Sequence, residues 1–422
     1  MTDNKFLTPE GEKKPGKQVL RELQDKIAQD VFDAKARGEK IGWCASNFPQ
    51  EICTAMDIKV AYPENMGAAV GAKGGGLRMC EEAEAMGYSN DLCSYARINL
   101  AYAKSDDCPE IQIPRPDFLL CCNNICGCMM KWYENLAVEL NIPLLMIDIP
   151  HLTEKTCDPD RVRYIRAQFD DCIRQLEEIT GKKMDYAKLQ EVMEVSQRSS
   201  KAWLRAISCM GAEPSPFSGF DVFNTMAVAT VGRGTVEAAE AFEYLADEYE
   251  TAIKEGRSTF KGEEKYRILF EGIACWANLR ATYKTLQSRG INLTSTIYGP
   301  AFSFLYSNLD ELMAAYSYVP NSYCFEKEVE LRVNDAKAKK VDGAVIHINR
   351  SCKRWSGNSY ELERQLRAQA GIPTMTFDGD QSDPRVFSEA QYETRVEALT
   401  EIMEANKQVR KQDEKARLEA AR

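Results

Sequence analysis

The sequence predicts an α/β protein built from two similar Rossmann/flavodoxin-like lobes with short parallel sheets, joined by a mainly helical middle region and followed by a long C-terminal helix. Three observations predict this. Short apolar runs bounded by turn residues alternate with helical stretches in both outer parts of the chain, the pattern of parallel strands covered by helices. The middle part carries helical spacing with many charges. The two outer parts also repeat one ordered series. Asp117, a strand, Cys126, a helix, Ile142-Pro143, a strand and Asp148 in the first are matched by Asp342, a strand, Cys352, a helix, Ile372-Pro373, a strand and Asp378 in the second. The spacing from Ile-Pro to the final Asp is identical, so we read an internal repeat.

Residues 1–40 read as a polar helical lead-in, with Gln18 to Lys35 rich in good helix formers. The first lobe spans 41–157; Phe118 to Cys122 and Pro143 to Ile147 are apolar runs too short for helices, and Lys131 to Leu140 between them is helical. Residues 158–290 form the mainly helical region, with helices at Arg161 to Thr180, Asp185 to Met210 and Val236 to Lys254, and a break at Gly211 to Gly219, where Pro214 and Pro216 stand. The second lobe spans 291–422, with strands at Leu293 to Tyr298, Gly343 to Ile348 and Thr374 to Phe377, and a charged helical tail from Ser388 to Arg422.

Composition narrows the function. Of 422 residues, 44% are apolar and 28% charged, which is ordinary for a folded soluble chain. The 54 basic and 64 acidic residues leave a net charge of −10, which implies no broad basic surface and makes nucleic acid a poor partner. No apolar run reaches the roughly 18 residues needed to span a bilayer. The first residues lack an apolar signal core, so no membrane association and a cytoplasmic setting are expected. Two histidines, His151 and His347, starve a histidine-rich zinc site and leave few candidates for a Ser-His-Asp triad.

Fifteen cysteines are too few for a disulfide scaffold of this length, and in a reducing compartment they point to ligation or redox chemistry. Open α/β sheets bind ligands beyond the carboxyl ends of their strands. Cys126 and Cys352 each fall between a strand and a helix, at that edge of their lobes, and Cys93 begins another helical stretch. If the lobes face each other the three thiols converge; a polycationic centre would relieve their repulsion, and an iron–sulfur cluster suits ligands from distant segments. The crowded stretch Cys121 to Cys128 contains C-x-C, not the C-x-x-C of zinc ribbons. Cys121 and Cys122 end an apolar run and read as small buried hydrophobes, as do Cys44, Cys53, Cys80, Cys108, Cys157, Cys172, Cys209, Cys275 and Cys324. Gly67 to Gly76 is glycine-rich, but no Ser or Thr follows Lys73, so it is not a nucleotide-binding loop and is expected to be a flexible loop at the active site or before a helix. On residue chemistry alone Ser46 reads as a helix cap, paired with Glu51 or followed by Pro49, and Glu64 as a solvated loop acid.

Four segments taken in order, Gly42 to Ile52, Cys93 to Arg97, Cys126 to Glu134 and His347 to Lys353, are together similar to the 2-hydroxyacyl-CoA dehydratase family, which includes relatives of benzoyl-CoA reductase. The chain departs from the usual family pattern at Gly127, often Asp, and in the extra Cys128. The resemblance covers nearly the whole chain and implies one [4Fe–4S] cluster held by Cys93, Cys126 and Cys352, with a fourth iron position open. It implies that Ser46 and Glu64 line the active site, which marks the α-type, substrate-binding subunit. The implied reaction removes water from a 2-hydroxyacyl-CoA to give a 2-enoyl-CoA. One electron enters the thioester carbonyl, the ketyl radical anion expels the α-hydroxyl, and the β-hydrogen becomes acidic enough to remove. The implied partners are a homologous β-type subunit and a transient ATP-hydrolysing iron–sulfur activator. Two other readings stand beside this one: a benzoyl-CoA reductase-type subunit, and an iron–sulfur electron-transfer subunit without a substrate site. A metal-free α/β binding protein is the plainest alternative from the residues alone.

Overall fold

A computed structural model describes residues 5–420; residues 1–4 of the lead-in and 421–422 of the tail lie outside it. Two four-stranded parallel sheets carry the two lobes. The first holds β1 (Gly42–Cys44), β2 (Val60–Ala61), β3 (Phe118–Cys122) and β4 (Leu144–Ile147) in the order β2-β1-β3-β4. The second holds β5 (Tyr266–Glu271), β6 (Ile291–Ser295), β7 (Gly343–Asn349) and β8 (Thr374–Gly379) in the order β6-β5-β7-β8. The two orders are the same, as the repeat requires.

The repeated aspartates have a structural task. Asp117 accepts from the backbone N–H of Ile41 at 3.0 Å, and Asp342 accepts from the N–H of Arg267 at 3.0 Å. Each pins the start of a central strand to its neighbour and so sets the register of its sheet. Asp117 is ion-paired with Lys35 and Lys40, Asp342 with Lys407 and Arg410. All five residues of β3 and all seven of β7 are buried, which explains why they read as continuous apolar runs.

The long helices fall close to where periodicity puts them. The lead-in helix is Gly16–Ala36, the middle helices are Pro159–Thr180, Tyr186–Ser208 and Val236–Lys254, and the tail helix is Glu389–Ala420. Asp158, Asp185 and Thr235 cap the three middle helices by accepting first-turn amides, and Pro159 takes the first helical position of its helix. The lead-in helix packs on Val236–Lys254, which packs on Tyr186–Ser208. Among the described residues no helix is long and apolar enough to cross a membrane.

Three expectations need correction. β5 lies inside the stretch read as helical, because Arg267 and Glu271 interrupt its apolar run; both are buried, Arg267 donating to the Ala212 carbonyl at 2.7 Å and Glu271 accepting from Arg332 at 2.7 Å. Only residues 73–75 of the glycine-rich stretch form a loop, leading into the helix Gly76–Ala85, whereas Gly67 and Gly71 lie within the helix Pro63–Ala72. A β-carbon at Gly67 would come 2.8 Å from the Tyr95 ring and one at Gly71 2.9 Å from the Ser382 backbone, so these glycines permit close helix contact. Finally, Ser46 does not cap a helix with Glu51. Glu51 is buried and accepts from Ser196 Oγ at 2.9 Å, Tyr306 OH at 2.7 Å and Tyr316 OH at 2.8 Å. Arg233 donates to the Tyr316 hydroxyl at 3.0 Å and supplies the compensating charge.

The lobes are laced together. Phe304, Tyr306 and Tyr316, which follow β6, sit in the core of the first lobe. Arg97, 1% exposed, donates to Glu84 on its own lobe and to Asp383 of the second lobe at 2.9 Å. Removing the guanidinium leaves Asp383 buried without this partner. Asp383 keeps its pairing with Arg385, so we expect Arg97→Ala to cost about 1.5–3 kcal/mol in urea unfolding, against less than about 1 kcal/mol for the exposed pair Arg174–Asp171 broken by Arg174→Ala.

Candidate functional site

The carboxyl edges of the two sheets border one cavity of about 300 Å³. Ser46, Glu64, Cys93, Cys126 and Cys352 all line it. The five residues singled out from sequence are therefore brought together, although Ser46 and Cys352 lie 306 positions apart in the chain.

Each of the three cysteines stands at the N-cap of a helix: Cys93 before Ser94–Ser105, Cys126 before Gly127–Leu140 and Cys352 before Lys353–Ser356. Unpaired first-turn amides and the positive ends of the helices thus face the sulfurs, an arrangement that favours negative charge. Burial opposes it. The Cys126 thiol is pushed up to about 12 by burial and by the neighbouring Cys352 and Cys93 sulfurs. Cys352 is likewise pushed up to about 12 by burial and by Cys93, while the amides of Trp355 and Arg354 pull the other way. The sulfurs therefore sense one another, and three thiolates can coexist here only around strong positive charge.

Among the described residues no three His, Cys, Asp or Glu side chains close around a point as a single metal ion would need. The three thiols line one cavity wall and influence one another's ionisation. Three soft sulfur donors and no histidine suit a polynuclear iron–sulfur group better than a zinc ion.

The second lobe reaches across to the first cysteine. Gln381 Nε2 donates to Cys93 Sγ at 2.9 Å, and Asn349 donates to Gln381 Oε1 at 2.5 Å. The backbone N–H of Ser94 donates to Ser351 Oγ at 3.1 Å, and the N–H of Ser351 donates to Asp380 Oδ2 at 3.1 Å. These bonds tie the Cys93 and Cys352 loops together. The extra Cys128 does not line the cavity; its thiol bonds to that of Cys93, which is held above the ordinary thiol range by this bond and by burial. Cys121 and Cys122 are fully buried, in keeping with packing roles, whereas Cys157 and Cys324 are half-exposed.

Glu64 is the second residue of the helix Pro63–Ala72. Its Oε1 accepts from the Ser46 backbone N–H at 2.8 Å and its Oε2 from the Tyr133 hydroxyl at 3.2 Å. It is not a solvated acid: burial raises its pKa, and these bonds only partly offset the rise. Ser46 is 4% exposed and lies in the loop after β1.

Sequence reasoning missed Tyr133, Tyr95, Trp276, Tyr298 and Gln381. Tyr95 and Tyr133 stand inside the segments around Cys93 and Cys126, which was the available signal. The wall also carries the aromatic rings of Trp132, Phe223, Trp276, Tyr298, Phe302 and Trp355, beside aliphatic side chains and the amides of Asn47, Asn65 and Asn224. Arg354 also lines the cavity, but its guanidinium donates to Glu328 at 2.8 Å.

Residues 45–403 match the family described as 2-hydroxyglutaryl-CoA dehydratase, D-component. The chain is 58% identical over 399 residues to the (R)-phenyllactyl-CoA dehydratase alpha subunit of Clostridium sporogenes, covering 94% of this chain and 98% of the relative. It is 44% identical over 401 residues to the (R)-2-hydroxyisocaproyl-CoA dehydratase alpha subunit of Clostridioides difficile, covering 94% and 98%. A benzoyl-CoA reductase subunit of Thauera aromatica is more distant, 26% identical over 392 residues, covering 88% and 90%.

Proposed function

The chain belongs to the 2-hydroxyglutaryl-CoA dehydratase, D-component family, and from that premise we propose that it is the substrate-binding α-type subunit of a hydro-lyase that converts an (R)-2-hydroxyacyl-CoA to a 2-enoyl-CoA. One observation carries the reading: the three N-cap cysteines and the Ser46–Glu64 pair share a single apolar cavity. Cys93, Cys126 and Cys352 would hold a [4Fe–4S] cluster. When bound, such a cluster supplies a Lewis-acidic iron for the thioester oxygen and the single electron that opens the ketyl route.

The chain's own residues do the rest. Glu64 is fixed by Ser46 and Tyr133, and burial raises its pKa, which favours its protonated form over that of an ordinary glutamate. Its role is to give that proton to the α-hydroxyl, which then leaves as water. Ser46 orients that hydroxyl. The aromatic wall keeps bulk water out and takes the acyl side chain. Among the described lining residues Arg354 is the one cation, and it is paired with Glu328, so an aromatic acyl group fits the wall better than a dicarboxylic one. The similarity to the phenyllactyl enzyme subunit agrees with this choice. The reading further assigns the chain a β-type partner subunit, a transient ATP-dependent iron–sulfur activator and a cytoplasmic setting.

Iron and sulfide analysis of anaerobically purified protein, followed by assay with the activator, tests the whole reading: we expect about four iron and four sulfide per chain and enoyl-CoA as product. Substoichiometric iron, or ring reduction of an aromatic CoA ester without water loss, would replace it by one of the alternatives above. Burying a phenyl side chain contributes about 1.5–3 kcal/mol. kcat/KM for (R)-phenyllactyl-CoA should therefore exceed that for (R)-lactoyl-CoA by roughly 10- to 100-fold; equal values would remove the aromatic assignment.

A further inference from the structure

The proposed function uses Ser46 and Glu64 on the first lobe and leaves the opposite wall without a chemical task. Tyr298 stands there, just beyond the carboxyl end of β6. Its ring is held by edge contacts with Phe302 at 5.6 Å and Trp355 at 6.3 Å between centroids, and by Phe223 at 6.2 Å. Three aromatic neighbours hold the ring in the cavity wall. Its hydroxyl is close enough to Cys352, Cys93 and Glu64 to feel their charges.

Hydrogen-bond direction is set from behind. Trp276 can only donate, and its Nε1–H donates to the Tyr95 hydroxyl. Tyr95 is left to donate onward, and the group beside it is the Tyr298 oxygen. Accepting there, Tyr298 would keep its own O–H for the cavity that it lines. Burial holds that phenol protonated far above neutral pH.

We propose that Tyr298 is a catalytic residue whose O–H donates to the thioester carbonyl oxygen of the bound acyl-CoA, with Tyr95 and Trp276 as positioning residues behind it. The proposal rests on the acyl-CoA reading above. The α-hydroxyl is taken by Ser46 and Glu64 from the first lobe. The carbonyl oxygen has two lone pairs, and beside the one that a bound iron would take, Tyr298 is the neutral donor among the lining residues shared with Cys93 and Cys352. As negative charge grows on the carbonyl oxygen, a fixed donor in an apolar cavity gains strength.

The test compares Tyr298→Phe with the unaltered protein, purified anaerobically with its partner subunit. Calorimetry measures the affinity of a 2-hydroxyacyl-CoA thioester and of its thioether analogue, in which CH2 replaces the carbonyl. The expected result is that the preference for thioester over thioether falls by about fivefold in the variant, with thioether affinity unchanged. With the activator present, kcat should fall about 100-fold, well beyond the roughly fivefold rise in KM that the weaker thioester binding brings. Tyr95→Phe, which keeps the Tyr298 O–H but frees its direction, should lose part of the same preference. An unchanged preference in Tyr298→Phe, or an equal loss of affinity for both compounds, would overturn the proposal and leave the acyl-CoA reading standing. Failure of the unaltered protein to bind either compound would overturn that reading and this inference with it.

Discussion

Replacing Cys126 with serine is expected to abolish both iron content and turnover, and the same holds for Cys93→Ser and Cys352→Ser, whereas Cys128→Ser should retain its iron. The four thiols are close in space but differ in setting. Cys93, Cys126 and Cys352 are N-cap residues that line the cavity, each backed by the first turn of a helix. Cys128 is one residue inside its helix and bonds to Cys93 without reaching the cavity wall. A serine oxygen is a harder and much more basic donor than a thiolate, so losing one of the three sulfurs proposed as ligands would leave too little to retain a cluster. The variants should still fold, because these residues are only half-buried and serine is itself a favoured N-cap residue. Anaerobic iron analysis, the visible absorption of the cluster and circular dichroism separate loss of cluster from loss of fold. If Cys128→Ser lost its iron while Cys126→Ser kept it, the assignment of the second sulfur would pass to Cys128.

Much of this site was legible because strand–loop–helix order fixes where a residue lies. A cysteine between a buried apolar run and a helix has to sit at the carboxyl edge of the sheet and at the helix N-terminus, as Cys126 after β3 and Cys352 after β7 do. The repeat was legible for a related reason: the aspartates that opened each series pin equivalent strands. β5 was hidden by its buried Arg267 and Glu271, whose partners Ala212 and Arg332 lie 55 and 61 residues away in sequence. β1 and β2, of three and two residues, are too short for any period to show. Tyr298 and Gln381 were hidden because an aromatic or an amide near a strand end reads as core or loop. Their meaning comes only from contact with Tyr95, Trp276 and Cys93, on other segments. The glycines at 67 and 71 read as a loop because helix propensity disfavours them, and close packing against Tyr95 and Ser382 overrides that preference.

Glu64→Gln is the substitution that most cleanly separates chemistry from architecture. Glutamine keeps the length of the side chain, and its amide oxygen still accepts from the Ser46 backbone N–H, so the loop after β1 stays in place. It cannot release a proton. We expect kcat to fall by about 10²–10⁴, the usual contribution of a positioned acid or base, with iron content unchanged. The pH profile carries the sign. Burial raises the pKa of Glu64, so the protonated, active form persists above the ordinary glutamate range and is lost as pH rises through the raised value. The unaltered enzyme should show that falling limb in kcat, and Glu64→Gln should lack it. Stability moves the same way. In the window between the ordinary glutamate value and the raised one the native state binds more protons than the unfolded state, so native stability falls as pH rises. Glutamine removes that dependence. The variant should thus be at least as stable as the unaltered protein near pH 7 while being far slower, and a variant that lost stability and activity in step would make Glu64 a structural residue only.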